Sequence, residues 1–168
     1  QMCIRDSSRI ENIYRKFGVE TSFRDNKIHL KKVNVELPEI ISINLQDNPD
    51  LAQTIIITCL GLGVDCDLQG LHTLKIKETD RLIALKKEIE KFDVDKVEVS
   101  DQSIILKNNS KLKSNVTVDT YNDHRMAMSF APLSLIIPIN IRNPEVVSKS
   151  YSNFWNDLKS VGFHISKK

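Results

Sequence analysis

An α+β fold is expected, with repeated helix and strand units packing their helices on one face of mixed sheets. Three observations predict it. A pattern of helix end, strand, polar turn and strand recurs along the chain, apolar stripes at helical spacing precede each copy, and no glycine-rich phosphate loop is present. The chain has only five glycines, and none sits in a nucleotide fingerprint.

The first unit opens with Ile10, Ile13 and Phe17 on one helical face, which Gly18 can terminate. Val19 to Phe23 then reads as a strand, Arg24-Asp25-Asn26 as a turn, and Lys27 to Leu30 as the returning strand. Pro38 marks a connection. The segment from Asp50 to Leu62 is apolar enough for a buried strand or a helix. Its length favours a buried helix, with Asp50 as N-cap. Val64, Cys66 and Leu68 alternate with polar residues, the pattern of a half-buried strand.

The clearest stripe is Leu82, Leu85, Ile89 and Phe92. Behind it, Lys91-Phe92-Asp93-Val94 leads through Val97-Glu98-Val99 to Ser100-Asp101-Gln102 and then Ile104-Ile105-Leu106, the second copy of the hairpin. Met126 to Ile137 reads as a helix that Pro132 kinks or shortens. Tyr151, Phe154, Leu158 and Val161 predict a C-terminal helix before Gly162, where a third copy begins at Val161 and stops with the chain.

Composition limits what such a fold does. The 168 residues are 40% hydrophobic and 27% charged, the profile of one ordinary globular domain. No apolar run approaches the roughly 18 residues of a membrane span. A net charge of +2, with both signs interspersed, leaves no broad cationic face, so neither a nucleic-acid nor a membrane partner is indicated. Cys3, Cys59 and Cys66 have no paired metal-ligand spacing, which points to reduced cysteines in a cytoplasmic protein. Residues 1–7 fit no later pattern and read as a leader foreign to the rest.

Two polar runs concentrate the chemistry: Lys77-Glu78-Thr79-Asp80-Arg81 and Tyr121-Asn122-Asp123-His124-Arg125. Glu78 and Arg81 are spaced for a local surface ion pair, which stabilises a helix by only about 0.2–0.5 kcal/mol. Lys77 and Arg81, four apart and like-charged, repel on one helix face unless an anion lies between them. Asp123 reads as an N-cap. Arg125 falls in a first helical turn, where the dipole opposes a cation and favours a bound anion. His124 is either a proton carrier or a hydrogen-bonded structural residue. If the repeat holds, Arg81, Arg125 and Lys149 occupy similar places in successive units and reach one edge of the sheet, with Asp50 beside them.

Together these segments resemble the 5-enolpyruvylshikimate-3-phosphate synthase family, the 3-phosphoshikimate 1-carboxyvinyltransferases. The resemblance lies in Asn48-Pro49-Asp50-Leu51-Ala52-Gln53-Thr54, in Leu74 to Leu82, in Thr120 to Met128 and in Asn143 to Ser150. It implies the latter part of a C-terminal domain over residues 8–168, one of two domains each built from three such units. It also implies transfer of the enolpyruvyl group of phosphoenolpyruvate to the 5-hydroxyl of shikimate 3-phosphate, in the shikimate pathway to chorismate and aromatic amino acids. By resemblance, Asp50 holds and deprotonates the hydroxyl, and Glu78 protonates the methylene carbon and later takes the proton back. Arg81, Arg125 and Lys149 are then cations around phosphoenolpyruvate, Lys77 contacts the shikimate phosphate, and His124 stands beside them. No metal or cofactor is implied, and the N-terminal domain of the same enzyme is the expected partner. The alternatives are a UDP-amino-sugar enolpyruvyl transferase and a noncatalytic anion-binding module. Asn143 and Ser152-Asn153 depart from the family pattern away from these positions.

Overall fold

The computed structural model describes residues 2–109 and 111–166, the side chains of residues 2–7 excepted. The chain divides between Glu39 and Ile40 into two compact units, just beyond the connection marked by Pro38.

The smaller unit is helix α1 (Met2–Arg15) followed by an antiparallel hairpin of β1 (Val19–Arg24) and β2 (Lys27–Lys32). Helix α1 therefore begins within the segment set apart as a leader. Asp25 and Asn26 turn the hairpin with φ of 50° and 57°, the mirror-image turn that suits strand twist. Gly18 ends the helical segment at φ 81°, and a side chain there would lie 2.6 Å from the Val33 carbonyl oxygen. Of the expected apolar face, Ile13 is buried, whereas Ile10 is 39% exposed.

The larger unit contains a four-stranded mixed sheet in the order β3-β4-β6-β5. Strand β3 (Ile40–Asn44) runs parallel to β4 (Asp65–Gln69), and β6 (Ser103–Lys107) is antiparallel to both β4 and β5 (Lys96–Val99). Helix α2 (Ala52–Leu62) and helix α3 (Arg81–Glu90) connect the strands. A second, two-stranded parallel sheet pairs β7 (Val116–Val118) with β8 (Ile139–Ile141) around helix α4 (His124–Phe130), and helix α5 (Phe154–Ser160) follows. The mixed four-stranded sheet and the repeated hairpins β1–β2 and β5–β6 are those the sequence predicts. Strands β3, β7 and β8 were not anticipated.

The α3 stripe is fully buried at Leu82, Leu85, Ile89 and Phe92, each side chain stabilising the fold by roughly 1.5–3 kcal/mol. Phe92 stacks on Phe130 of α4 at 6.0 Å, tying two units of the repeat together. Asp80 caps α3 by accepting hydrogen bonds from the backbone N–H groups of Leu82 and Ile83, both at 3.1 Å. Pro132 converts the end of α4 to a tighter 3-10 turn at Ala131–Leu135, the shortening expected of it.

Four sequence expectations need correction. Asp50 is not an N-cap: it lies in a 3-10 turn (Pro49–Leu51) before α2, and its carboxylate points elsewhere. Lys77 and Arg81 do not share a helix face, because Lys77 has extended backbone and α3 starts only at Arg81. The stripe from Tyr151 to Val161 shrinks to Phe154 and Leu158, since α5 spans only seven residues and Tyr151 and Val161 are exposed. Past it, residues 163–166 form no strand, so the third copy does not develop within the described residues.

Candidate functional site

The helix beginnings of the larger unit supply the charged residues. Asp50 precedes α2, Arg81 opens α3, Asp123 and Arg125 open α4, and Lys149 ends the 3-10 turn Pro144–Lys149 before α5. Helix α2 packs against α4, which brings segments far apart in sequence to one place.

Arg81 is the centre of the arrangement. It is only 1% exposed, yet its guanidinium meets three carboxylates. The Nε–H donates to Asp123 Oδ2 at 2.6 Å, one terminal nitrogen donates to Asp50 Oδ1 at 2.8 Å, and the other donates to Glu78 Oε2 at 2.6 Å. A rigid fork of five N–H groups suits that task, and lysine could not replace it. The Asp123 side chain is wholly buried, whereas those of Asp50 and Glu78 are 36% and 41% exposed. The sealed pair holds the guanidinium, and the two open carboxylates share it with solvent.

Asp50 draws in two more cations. Arg125 reaches its Oδ2 at 3.2 Å and also donates to the Asp50 carbonyl, while Lys77 lies 3.6 Å from Oδ1. Lys77 and Arg81 do gather around one carboxylate, but that carboxylate is Asp50 rather than the adjacent Glu78. Asp123 also accepts a hydrogen bond from the Arg125 backbone N–H at 2.9 Å, capping α4 while binding Arg81. Sequence reading found its cap role and missed its partner.

Lys149 takes a separate position. Its Nζ donates to both the carbonyl and the side-chain oxygen of Asn122, each at 2.9 Å. Asn122 adjoins Asp123, and both Tyr121 and Asn122 have left-handed backbone, with φ of 52° and 58°. Such conformations cost a non-glycine residue about 1–3 kcal/mol and persist only where surroundings enforce them. Asn122 thus joins the site as a holder of Lys149. Its signal was visible in the sequence only as a polar residue beside Asp123.

His124 is mostly buried, and its Nδ1 has no hydrogen-bond partner among the described residues. Ligand atoms of Glu78, Asp123 and His124 lie within 4.8 Å of one another. Both carboxylates are already bonded to Arg81, whose fixed charge opposes a metal cation there. This geometry instead sets an imidazole beside a partly open carboxylate.

What the cluster can do follows from its charges. Lys77, Arg81 and Arg125 face Asp50, Glu78 and Asp123, and the exposed cations can turn from Asp50 to an incoming anion. A site for anions alone gains nothing from Asp50 and Glu78. Carboxylates beside cations suit a reaction in which protons move on an anionic substrate.

Comparison with known proteins finds one family. The family model described as EPSP synthase (3-phosphoshikimate 1-carboxyvinyltransferase) matches residues 3–158. A 3-phosphoshikimate 1-carboxyvinyltransferase of Bacteroides fragilis is 42% identical over 94% of the chain and 39% of its own length. One from Neisseria meningitidis is 28% identical over 87% of the chain and 34% of its length. An EPSP synthase structure from Acinetobacter baumannii shares the fold with a TM-score of 0.71, at 20% identity, over 92% of this chain and 39% of that one. The chain thus spans well under half the length of these relatives.

Proposed function

The chain belongs to the EPSP synthase family, and we propose that it supplies the catalytic carboxylates and the phosphoenolpyruvate cations of an enolpyruvyl transfer to shikimate 3-phosphate. One observation carries this reading: Asp50 and Glu78, both open to solvent, share the buried guanidinium of Arg81. The buried guanidinium holds both carboxylates in place, and their exposure leaves them open to exchange protons with a bound anionic substrate.

The reaction needs the 5-hydroxyl oxygen to attack C2 of phosphoenolpyruvate while a proton is delivered to its methylene carbon. Asp50 holds the hydroxyl and takes its proton. Glu78 delivers the proton to the methylene, giving a tetrahedral intermediate. Glu78 then recovers a proton from the resulting methyl group as the C–O bond to phosphate breaks, and the proton taken by Asp50 leaves with the phosphate, which resets both carboxylates. Arg81 keeps both carboxylates aimed by hydrogen bonds to each. Arg125 and Lys149 exchange their present oxygen partners for the carboxylate and phosphate of phosphoenolpyruvate, and Lys77 turns to the phosphate of shikimate 3-phosphate. Such fixed charges, placed where charge develops, are commonly the largest contribution to rate. His124 lies within 4.8 Å of Glu78, so a single bridging water would let it relay the proton.

The remaining contacts to shikimate 3-phosphate belong to the portion of the relatives outside this chain, which we take as its partner domain. Cys59 and Cys66 are free thiols, which supports a reducing, cytoplasmic setting. Among the described residues no helix is long and apolar enough to cross a membrane.

The test is phosphate release with both substrates present. Joined in frame to the part of the Bacteroides fragilis relative that it does not cover, the chain should release phosphate only when both substrates are supplied. The chain alone should release none. Release by the chain alone, or by a folded fusion lacking shikimate 3-phosphate, would contradict the reading.

A further inference from the structure

We propose that Glu88, a buried carboxylate that makes no contact with the charged cluster, is a positioning residue for it, fixing the Tyr121–Asn122 turn from which Asp123 and the Lys149 contact extend. Glu88 lies two turns of α3 beyond Arg81 and is 0% exposed. Its Oε1 accepts a hydrogen bond from the Tyr121 hydroxyl at 2.7 Å, and its Oε2 accepts one from the Asp119 backbone N–H at 3.0 Å. Lys91 adds its ammonium at 2.5 Å to Oε2 and also reaches the Thr117 carbonyl and the Asp119 carboxylate. Arg142 closes the far side of Asp119 at 2.6 Å. Apart from the Lys91–Glu88 pair itself, every one of these bonds grips residues 117–121, and the grip ends where the left-handed pair begins.

Beyond the grip, Asn122 offers two oxygens to Lys149 and Asp123 holds Arg81. The same rigid helix therefore fixes the site from both ends: Arg81 at its first residue, and the turn facing Arg81 through Glu88. A buried carboxylate is costly unless paired, and an apolar residue would fill the same volume without that cost. Glu88 earns its place by geometry, because only an acceptor with two oxygens spans the N–H of Asp119 and the hydroxyl of Tyr121. The Tyr121 hydroxyl is held above its ordinary pKa by burial and by this bond to Glu88, as expected of a donor that stays protonated.

What is positioned rests on the substrate reading above, but the anchoring itself does not, so the experiment separates them. NMR spectra of the chain are compared with those of Glu88→Gln and Tyr121→Phe, without ligand and then during titration with phosphoenolpyruvate. Tyr121→Phe removes a single hydroxyl and serves where Glu88→Gln does not fold. In both variants the Asn122 side-chain amide and Lys149 ammonium signals should move, while those of the β5–β6 hairpin stay in place. The titration midpoint read at Arg125 should rise at least tenfold in Glu88→Gln and severalfold in Tyr121→Phe. Folded variants with Asn122 and Lys149 signals unmoved would overturn the proposal. Should phosphoenolpyruvate leave the unaltered chain's spectrum unchanged, the substrate reading falls. The ligand-free shifts at Asn122 and Lys149 would then still decide the role of Glu88.

Discussion

The two ends of helix α3 carry opposite charge networks, both built against the same stretch between β7 and α4. At its start a buried cation, Arg81, meets three carboxylates, two of them open to solvent. At its end a buried carboxylate, Glu88, meets the Lys91 ammonium, a backbone N–H and a hydroxyl, and none of its surface is exposed. This network turns its central carboxylate inward, and the partly exposed Lys91 and Asp119 are paired with each other. The open one keeps reactive groups at a mouth and their anchor below it. Burial of the central charge is common to both, and so is partial exposure of its partners, with Lys91 at 35% and Asp50 and Glu78 at 36% and 41%. What separates a working site from a brace is that one end presents carboxylates to solvent and the other turns its central carboxylate inward.

The comparison can be broken first at the sealed pair of the open network. Asp123→Ala should cost about 3–5 kcal/mol, because it removes the fully buried partner of a buried guanidinium, leaves its Nε–H unpaired and uncaps α4. The loss should appear as a lowered denaturation midpoint with an unchanged slope. Lys91→Met at the other end should cost somewhat less, about 2–4 kcal/mol, since Lys91 is partly exposed and Glu88 keeps two neutral donors. A cost below 1 kcal/mol in either variant would mean the networks do not hold the fold.

Acidity sharpens the contrast further. Burial disfavours the charged form of Lys91, but hydrogen bonds and charge from Glu88 and Asp119 raise its pKa overall. Its stabilisation is therefore present below about pH 10.4, the ordinary lysine value, and is lost as pH rises through the raised folded value. Asp119 behaves in the opposite sense. Its hydrogen bond from Lys91, with Arg142 nearby, lowers its pKa, so its contribution is present above about pH 3.9 and is lost as pH falls through the lowered value. Urea unfolding from pH 8 to 11.5 should show a falling limb in the unaltered chain that flattens in Lys91→Met. Equal limbs in the two proteins would assign the effect to other groups.

The smallest expected change is the most diagnostic. Asp50→Asn should alter stability by about 1 kcal/mol or less, because its carboxylate is over one-third exposed and Arg81 keeps Asp123 and Glu78. A loss as large as that for Asp123→Ala would move Asp50 from the working side of the comparison to the bracing side.

Much of this was legible in the sequence where the signal is local. The stripe from Leu82 to Phe92 follows helical spacing, and all its members are buried. The Asp25-Asn26 turn and the β5–β6 hairpin follow from turn chemistry. The short parallel strands β3, β7 and β8 carry no hairpin signal, since their partners lie far away in sequence. Glu88 escaped for a similar reason. A Glu and a Lys three apart on a helix read as a solvated pair, and only the segment from Thr117 to Tyr121 folding over them makes the carboxylate internal. The chemistry-bearing residues were recognisable as types, but their partners were not. Asp50 looked like a cap, and Asp123 looked like nothing more than one.

The account stands or falls most directly on Glu78. Enolpyruvyl transfer should be measured in the fusion with the Bacteroides fragilis portion, before and after Glu78→Gln. Removing the proton carrier should lower kcat by about 10²–10⁴-fold, with the thermal midpoint close to that of the unaltered fusion. A folded Glu78→Gln fusion that turns over at the original rate would contradict the assignment of proton transfer to this cluster.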